Sequence, residues 1–320
     1  MGRIVCWRVV MGNTAEAVSL PESERHGRTN AHKSGVRGRC IGLHRPKSHF
    51  TKAFAPLRFG FASGKAWLVN RLMKRLWRWA RWGVLGLIVL CGAEALLLRH
   101  PGACFAWSAG DAGLTLHSDL PFTEEEARAV IAQARERLAA SPYYGTGRHD
   151  AVFICNARWR RLLFCVGNYR AAGLNYMPLT HNVFLSGAQV ATNRLVTPAG
   201  KVVQGEMTLS YFIAHEIAHS LTHELLGAWD YQRLPSWLKE AYADYIARGS
   251  VFQRAEVRAA YRSDASEVHT PAQAPYLRYN LLFGQLVEHE GRSPESIFAS
   301  RVSQADAEAR LRAYLAATPD

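Results

Sequence analysis

The seventeen residues from Trp82 to Leu98 carry a single charge, Glu94, and are otherwise apolar or small. No other stretch constrains the chain as much, because such a run divides the residues before it from those after it. As a helix it spans about 25 Å, a short crossing of a bilayer. Lys74, Arg75, Arg78 and Arg81 lie just before it, and Trp77, Trp79 and Trp82 stand where an interfacial aromatic belt forms. A basic flank stays in the cytoplasm, so everything after Arg99 is expected outside an inner (plasma) membrane crossed once. A cleaved signal peptide gives a similar pattern. No small-x-small cleavage site is evident, however, and Leu90 before Cys91 does not fit a lipoprotein signal. The uncleaved anchor is therefore the reading preferred.

The chain has 320 residues and a formal charge of +13. That charge is unevenly placed. Residues 1–100 hold 18 basic and 4 acidic side chains, whereas the remaining 220 hold 21 and 22. The larger part is close to neutral, so it has no electrostatic footprint for nucleic acid. Residues 1–72 are rich in Arg, Gly, Ser and His and show no sustained period. They read as a disordered basic tail or as an extension ahead of a natural start at Met73. The expected organisation is thus an irregular 1–72, a basic flank and anchor over 73–100, and a domain over 101–320. Cys155 and Cys165 lie ten apart in the exported part. A disulfide between them and a pair of buried thiols are both compatible with the spacing.

In the domain, Thr123 and Glu126 form a capping box for an amphipathic helix ending near Ala140, ahead of Pro142. "HDAVFICN" reads as a strand and "ARWRRLLFC" as a short helix. "AAGLNYMP" and "NVFLSG" read as strands bounded by Gly and Pro. After the turn "TPAGK", a long apolar-periodic helix is expected from Glu206 to Leu226, stopped by Gly227. A second, "SWLKEAYADYIAR", is stopped by Gly249. Further helices are expected over 252–262, 276–289 and 305–316. Strands first and helices after indicate an α+β domain.

The long helix contains "HEIAHSLTH": His215, Glu216, His219 and His223. Residues four apart share a helix face, so His215 and His219 are placed to chelate one ion. Glu216 then borders the position of a metal-activated water. His223 lies eight residues, about 12 Å, along the axis from His215. A straight helix does not bring both to one ion, so His223 is expected at the surface or lining the site's edge. A catalytic zinc needs a third protein ligand. Glu240, 21 residues after His219 and across a turn of chain, supplies it. Asp244 repeats the Glu240 face and is expected to accept a ligand histidine's free ring N–H, most readily that of His215.

"HEIAH" followed by "WLKEAYADY" resembles the gluzincin metallopeptidases, the thermolysin-like and aminopeptidase-like superfamily. The resemblance covers about 206–249, weakening toward 291. Residue by residue it implies His215, His219 and Glu240 as zinc ligands, Glu216 as general base and Asp244 as the supporting carboxylate. Ala241 departs from the Gly found in many members, and the Gly-Ala-Met-Glu-Asn element of the aminopeptidases is missing. In layout the chain looks closer to small membrane-anchored bacterial members. The resemblance implies a zincin-like domain: a small mixed-sheet lobe with the active-site helix, then a mostly helical lobe. It also implies a sheet-edge strand for the substrate backbone, "AAGLNYM" or "NVFLS", and an oxyanion-stabilising Tyr276, Tyr279 or His269. The expected function is zinc-dependent hydrolysis of peptide or protein substrates. The alternatives are a non-catalytic zinc-stabilised module of the cell envelope and a hydrolase of non-protein amides.

Overall fold

The computed structural model describes residues 63–265, 268 and 274–318, with no account of the side chains of 63–69, 274 and 275. These residues fall into two compact units that divide between Ile88 and Val89. Helix α1 runs over Ser63–Arg99. Its segment Asn70–Arg99 has mean hydropathy 1.8 and is, among the described residues, the one helix long and apolar enough to cross a membrane. The stretch expected to be irregular up to residue 72 is therefore helical from Ser63; its earlier part lies outside the described residues.

From α1 the chain passes through a 3-10 turn, Pro101–Cys104, into β1 (Trp107–Asp111) and β2 (Leu114–Ser118). The sequence reading overlooked this hairpin, although "DAG" between two short alternating segments marks one. Ala112 and Gly113 have φ of +44° and +89°, the left-handed pair a two-residue turn requires. A Cβ on Gly113 would also meet the Arg148 carbonyl oxygen at 2.1 Å, so no other residue fits. Helix α2 (Glu124–Leu138) follows, with the expected capping box. Thr123 Oγ1 accepts from the Glu126 amide, and Glu126 accepts from the Thr123 amide at 2.7 Å. A cap of this kind contributes about 1 kcal/mol.

The strands β3 (Asp150–Ile154), β4 (Gly173–Asn175) and β5 (Val183–Leu185) fall where expected, and α3 (Arg158–Phe164) connects the first two. The sheet order is β1-β2-β3-β5-β4. β2, β3 and β5 are parallel, while β1 and β4 run antiparallel at the two edges. Strand alternation sorts the side chains into two layers. Leu114, Leu116, Val152, Ile154, Val183 and Leu185 join the main core beneath α2 and the later helices. Phe153, Cys155, Leu174 and Phe184 face the other way and build a second, aromatic core with Phe105 and Phe164. Cys155 and Cys165 sit in that second core as buried free thiols.

A two-stranded ribbon, β6 (Ala188–Gln189) and β7 (Arg194–Leu195), leads to α4 (Leu209–Arg233). Thr208 caps α4 through its hydroxyl, so the helix begins three residues later than expected. Gly227, at φ +74°, breaks the helix where a stop was expected, but one further helical turn follows. Helix α5 (Ser236–Arg248) matches its expected bounds. The remaining elements are α6 (Ala255–Arg262), α7 (Ala274–Gly284, extended by a π-helical turn to His289), α8 (Pro294–Ser300) and α9 (Gln304–Ala317). Helix α8, capped by Ser293, was not anticipated. The described residues thus form an α+β domain, with α4 sandwiched between the sheet and α5.

Candidate metal centre

Helix α4 is buried along its whole first half, because one flank meets the sheet and α2 and the other meets α5. Polar side chains here have to find partners inside the protein. His215 and His219 project from one face toward α5, with ring centroids 4.9 Å apart and edge-to-face. The chain between α4 and α5 turns back and presents Glu240 to both. His215 Nε2 lies 3.3 Å from Glu240 Oε2, and His219 Nε2 lies 3.0 Å from Oε1. The three are 3–5 % exposed. Their ligand atoms all lie within 4.8 Å of one another, and this group alone among the described residues could hold a metal ion.

The donor chemistry fits a cation. Burial alone would raise the Glu240 pKa, but His219 and His215 more than offset this and hold it at about 2. Burial likewise disfavours the His215 cation, yet hydrogen bonding to Glu240 and the nearby carboxylates raises its pKa overall. A buried carboxylate that keeps its charge beside two imidazoles is a site that favours positive charge. Metal binding there would displace any shared proton.

Glu216 is not part of the ligand group. Its side chain turns from the ion position toward β4, where Gly173 leaves the space it occupies. Asn175, two residues along the strand and so on the same face, gives its amide to the Glu216 backbone carbonyl at 2.5 Å. It also approaches Oε2 at 3.4 Å. Burial is the main influence on the Glu216 carboxyl and keeps its pKa above the ordinary value, despite the lowering effect of the two histidines. A base of raised pKa is better matched to proton transfer near neutral pH than an ordinary carboxylate.

The oxyanion candidates separate. Tyr276 lines the same small recess as His215, Glu216, His219 and Glu240, and its ring stands edge-on to His215 at 5.5 Å. Burial and the carboxylates of Glu240 and Glu216 push its pKa up, so it is a neutral hydrogen-bond donor. Tyr279 packs instead on Trp237 at 6.3 Å and does not line the recess. His269 lies outside the described residues. Of the two candidate substrate strands, β4 is the sheet edge beside α4, while β5 is flanked on both sides.

Asp244 differs from expectation. It is fully buried, but its oxygens are taken by other groups. The Tyr211 hydroxyl donates to Oδ1, Arg248 Nε donates to Oδ2 at 3.0 Å, and Asn280 donates to Oδ2 at 2.9 Å. His215 Nδ1 has no hydrogen-bond partner among the described residues. Asp244 sits one helical turn beyond Glu240, and that turn carries it past the His215 ring to the Tyr211 side chain on α4. Asp244 therefore fastens α5 to α4 and α7 instead of orienting the ligand ring directly. His223, as expected, belongs to no ligand group among the described residues, but it is buried instead of at the surface, edge-on to Tyr231 at 5.3 Å. Tyr231 itself, unmarked in the sequence reading, brings its hydroxyl to 3.4 Å from His219 Nδ1. Gly173 was also missed; a glycine inside a strand signals close approach of another group.

Compared with known proteins, the chain matches no family model, no curated protein and no solved structure.

Proposed function

We propose that the protein is a zinc-dependent peptidase with Glu216 as general base. The observation that carries this reading is the Glu216 carboxylate. It is buried beside the His215–His219–Glu240 group without belonging to it, and it abuts an edge strand. A purely structural metal site has no use for such a group. Zinc suits two imidazoles and one carboxylate with a fourth position open, and when bound it would acidify a water and polarise a carbonyl.

The chain's own residues supply the rest. β4, the last strand of the sheet among the described residues, would offer its outer backbone groups to an extended substrate by β-augmentation. Glu216 accepts the proton of the attacking water and returns it to the leaving amine. Tyr276, kept neutral, donates a hydrogen bond to the oxyanion that develops at the scissile carbonyl. Tyr231 and Glu240 hold the His219 ring from two sides, which limits its rotation. In this reading the domain is zincin-like and faces the exterior of an inner membrane crossed by α1. The geometry gives no comparable support to a non-catalytic envelope module.

The test uses the full chain in detergent, assayed for bound zinc and for hydrolysis of a peptide library. Glu216→Gln should retain zinc and lose turnover, and His219→Ala should lose both. An unchanged rate in Glu216→Gln would refute the base assignment.

A further inference from the structure

The third histidine of "HEIAHSLTH" has no place in the ligand group, yet His223 is buried, and its Nε2 has no hydrogen-bond partner among the described residues. A buried nitrogen left unsatisfied costs stability, so the use of this ring lies in what it touches. It touches Tyr231, edge-on at 5.3 Å.

Tyr231 stands there because α4 is broken. On an unbroken helix it would lie about 18 Å along the axis from His219, too far for the two side chains to meet. Gly227 is midway between His223 and Tyr231, four residues from each. Its φ of +74° and ψ of +163° turn the chain, a conformation open to glycine and strained for other residues. The helical turn that follows folds back along α4 and brings the Tyr231 hydroxyl to 3.4 Å from His219 Nδ1.

The Tyr231 side chain is buried and held by its neighbours. Besides the His223 contact, the Lys239 ammonium lies 4.6 Å from the ring centre, a cation–π contact. Among the described residues the hydroxyl has no hydrogen-bond partner other than His219. Lys239 immediately precedes Glu240, whose Oε1 is 3.0 Å from His219 Nε2. Helix α5 thus meets one nitrogen of the ligand ring directly and supports the tyrosine at the other.

With Nε2 turned to an ion, the ring proton of His219 sits on Nδ1 and donates to the Tyr231 oxygen. At 3.4 Å this bond is long, so a small displacement of the Tyr231 ring decides whether it forms. His215 has no such support, since its Nδ1 is without a hydrogen-bond partner among the described residues.

We propose that Tyr231 is a positioning residue for the metal ligand His219, and that His223 acts on the metal through Tyr231. The third histidine then serves the metal site without touching the ion. The proposal rests on reading the centre as a zinc site and is independent of the reaction carried out there.

The experiment measures the zinc affinity of the full chain in detergent by competition with a chromophoric chelator, beside the denaturation midpoint of the metal-free protein. Tyr231→Phe removes the oxygen and keeps the ring. It should bind one zinc per chain with affinity about 10- to 100-fold lower. His223→Ala should also keep one zinc per chain and lose affinity. In the Tyr231→Phe background it should lower affinity no further, because its route to the metal is already cut. Parent affinity in Tyr231→Phe would overturn the proposal, whether or not the metal-free midpoint fell, since the hydroxyl would then serve the fold alone. A further loss in the double variant, or an empty site in His223→Ala at saturating zinc, would overturn the route through Tyr231. No zinc bound by the unaltered chain would overturn the zinc reading and this proposal together. The expected affinities without cleavage of any peptide would overturn the peptidase reading and support this one.

Discussion

A β-carbon on Gly173 would stand 2.5 Å from Glu216 Oε1 and 2.7 Å from its Cγ and Cδ. The backbone of Gly173 has no left-handed φ, so alanine is conformationally acceptable there. The substitution therefore acts by contact alone. The nearest atoms belong to the Glu216 side chain, which would have to move while the strand stays. Gly173→Ala should leave bound zinc at one per chain and lower kcat/KM about 100-fold, the usual cost of an ångström of misplacement. Metal analysis beside peptide kinetics checks this. An unchanged kcat/KM would mean that Glu216 is not held by β4.

The sequence made the ligand group legible because its spacing is that of a helix: His215 and His219, four apart, share a face by period alone. Glu240 was reachable because the second helix is otherwise apolar, a poor setting for a free carboxylate. The partner of Asp244 was not legible. It depends on how far α5 slides along α4, and that is set by Tyr211, Arg248 and Asn280 packing from three elements. The role of Gly173 was hidden for a similar reason, since it depends on β4 lying beside α4 at the sheet edge. The β1–β2 hairpin, by contrast, was readable from its turn residues and was overlooked.

Tyr276 and Tyr279 are one helical turn apart in sequence but differ in their surroundings. Tyr276 meets His215 in the recess, and Tyr279 meets Trp237 outside it. Loss of a single oxyanion donor lowers kcat by about 100- to 1,000-fold. Tyr276→Phe should show a fall of that order with KM little changed, and Tyr279→Phe should stay near the parent rate. Steady-state kinetics of the two variants decides the assignment. The reverse ranking would move the donor role to Tyr279.

Asp244 is the acid on which Tyr211, Arg248 and Asn280 converge. Removing one partner from a buried ion pair leaves the other charge uncompensated, at a cost of about 3–5 kcal/mol. Asp244→Ala should therefore destabilise the fold by about 3 kcal/mol or more. Asp244→Asn keeps the volume and should cost less. Denaturant unfolding of the full chain in detergent gives both values. If Asp244 acted mainly on the metal, zinc affinity would fall while the denaturation midpoint of the metal-free protein stayed put.

Glu206 ties the same network to solvent. Its carboxylate receives Arg248 at 2.8 Å and Arg254 at 2.9 Å. Burial tends to raise its pKa, but the two guanidiniums outweigh that and leave it lowered. A carboxyl with a depressed folded pKa contributes stability that is present above its unfolded pKa and lost as pH falls through the folded one. The Glu206 side chain is 56 % exposed, so solvent screening keeps this contribution below about 1 kcal/mol. Glu206→Gln should consequently lower the melting temperature slightly at pH 7. The gap should close as the pH falls below the ordinary glutamate range. Thermal unfolding of both proteins across that interval is the measurement. A gap that persisted below the folded pKa would show that Glu206 acts by packing instead of charge.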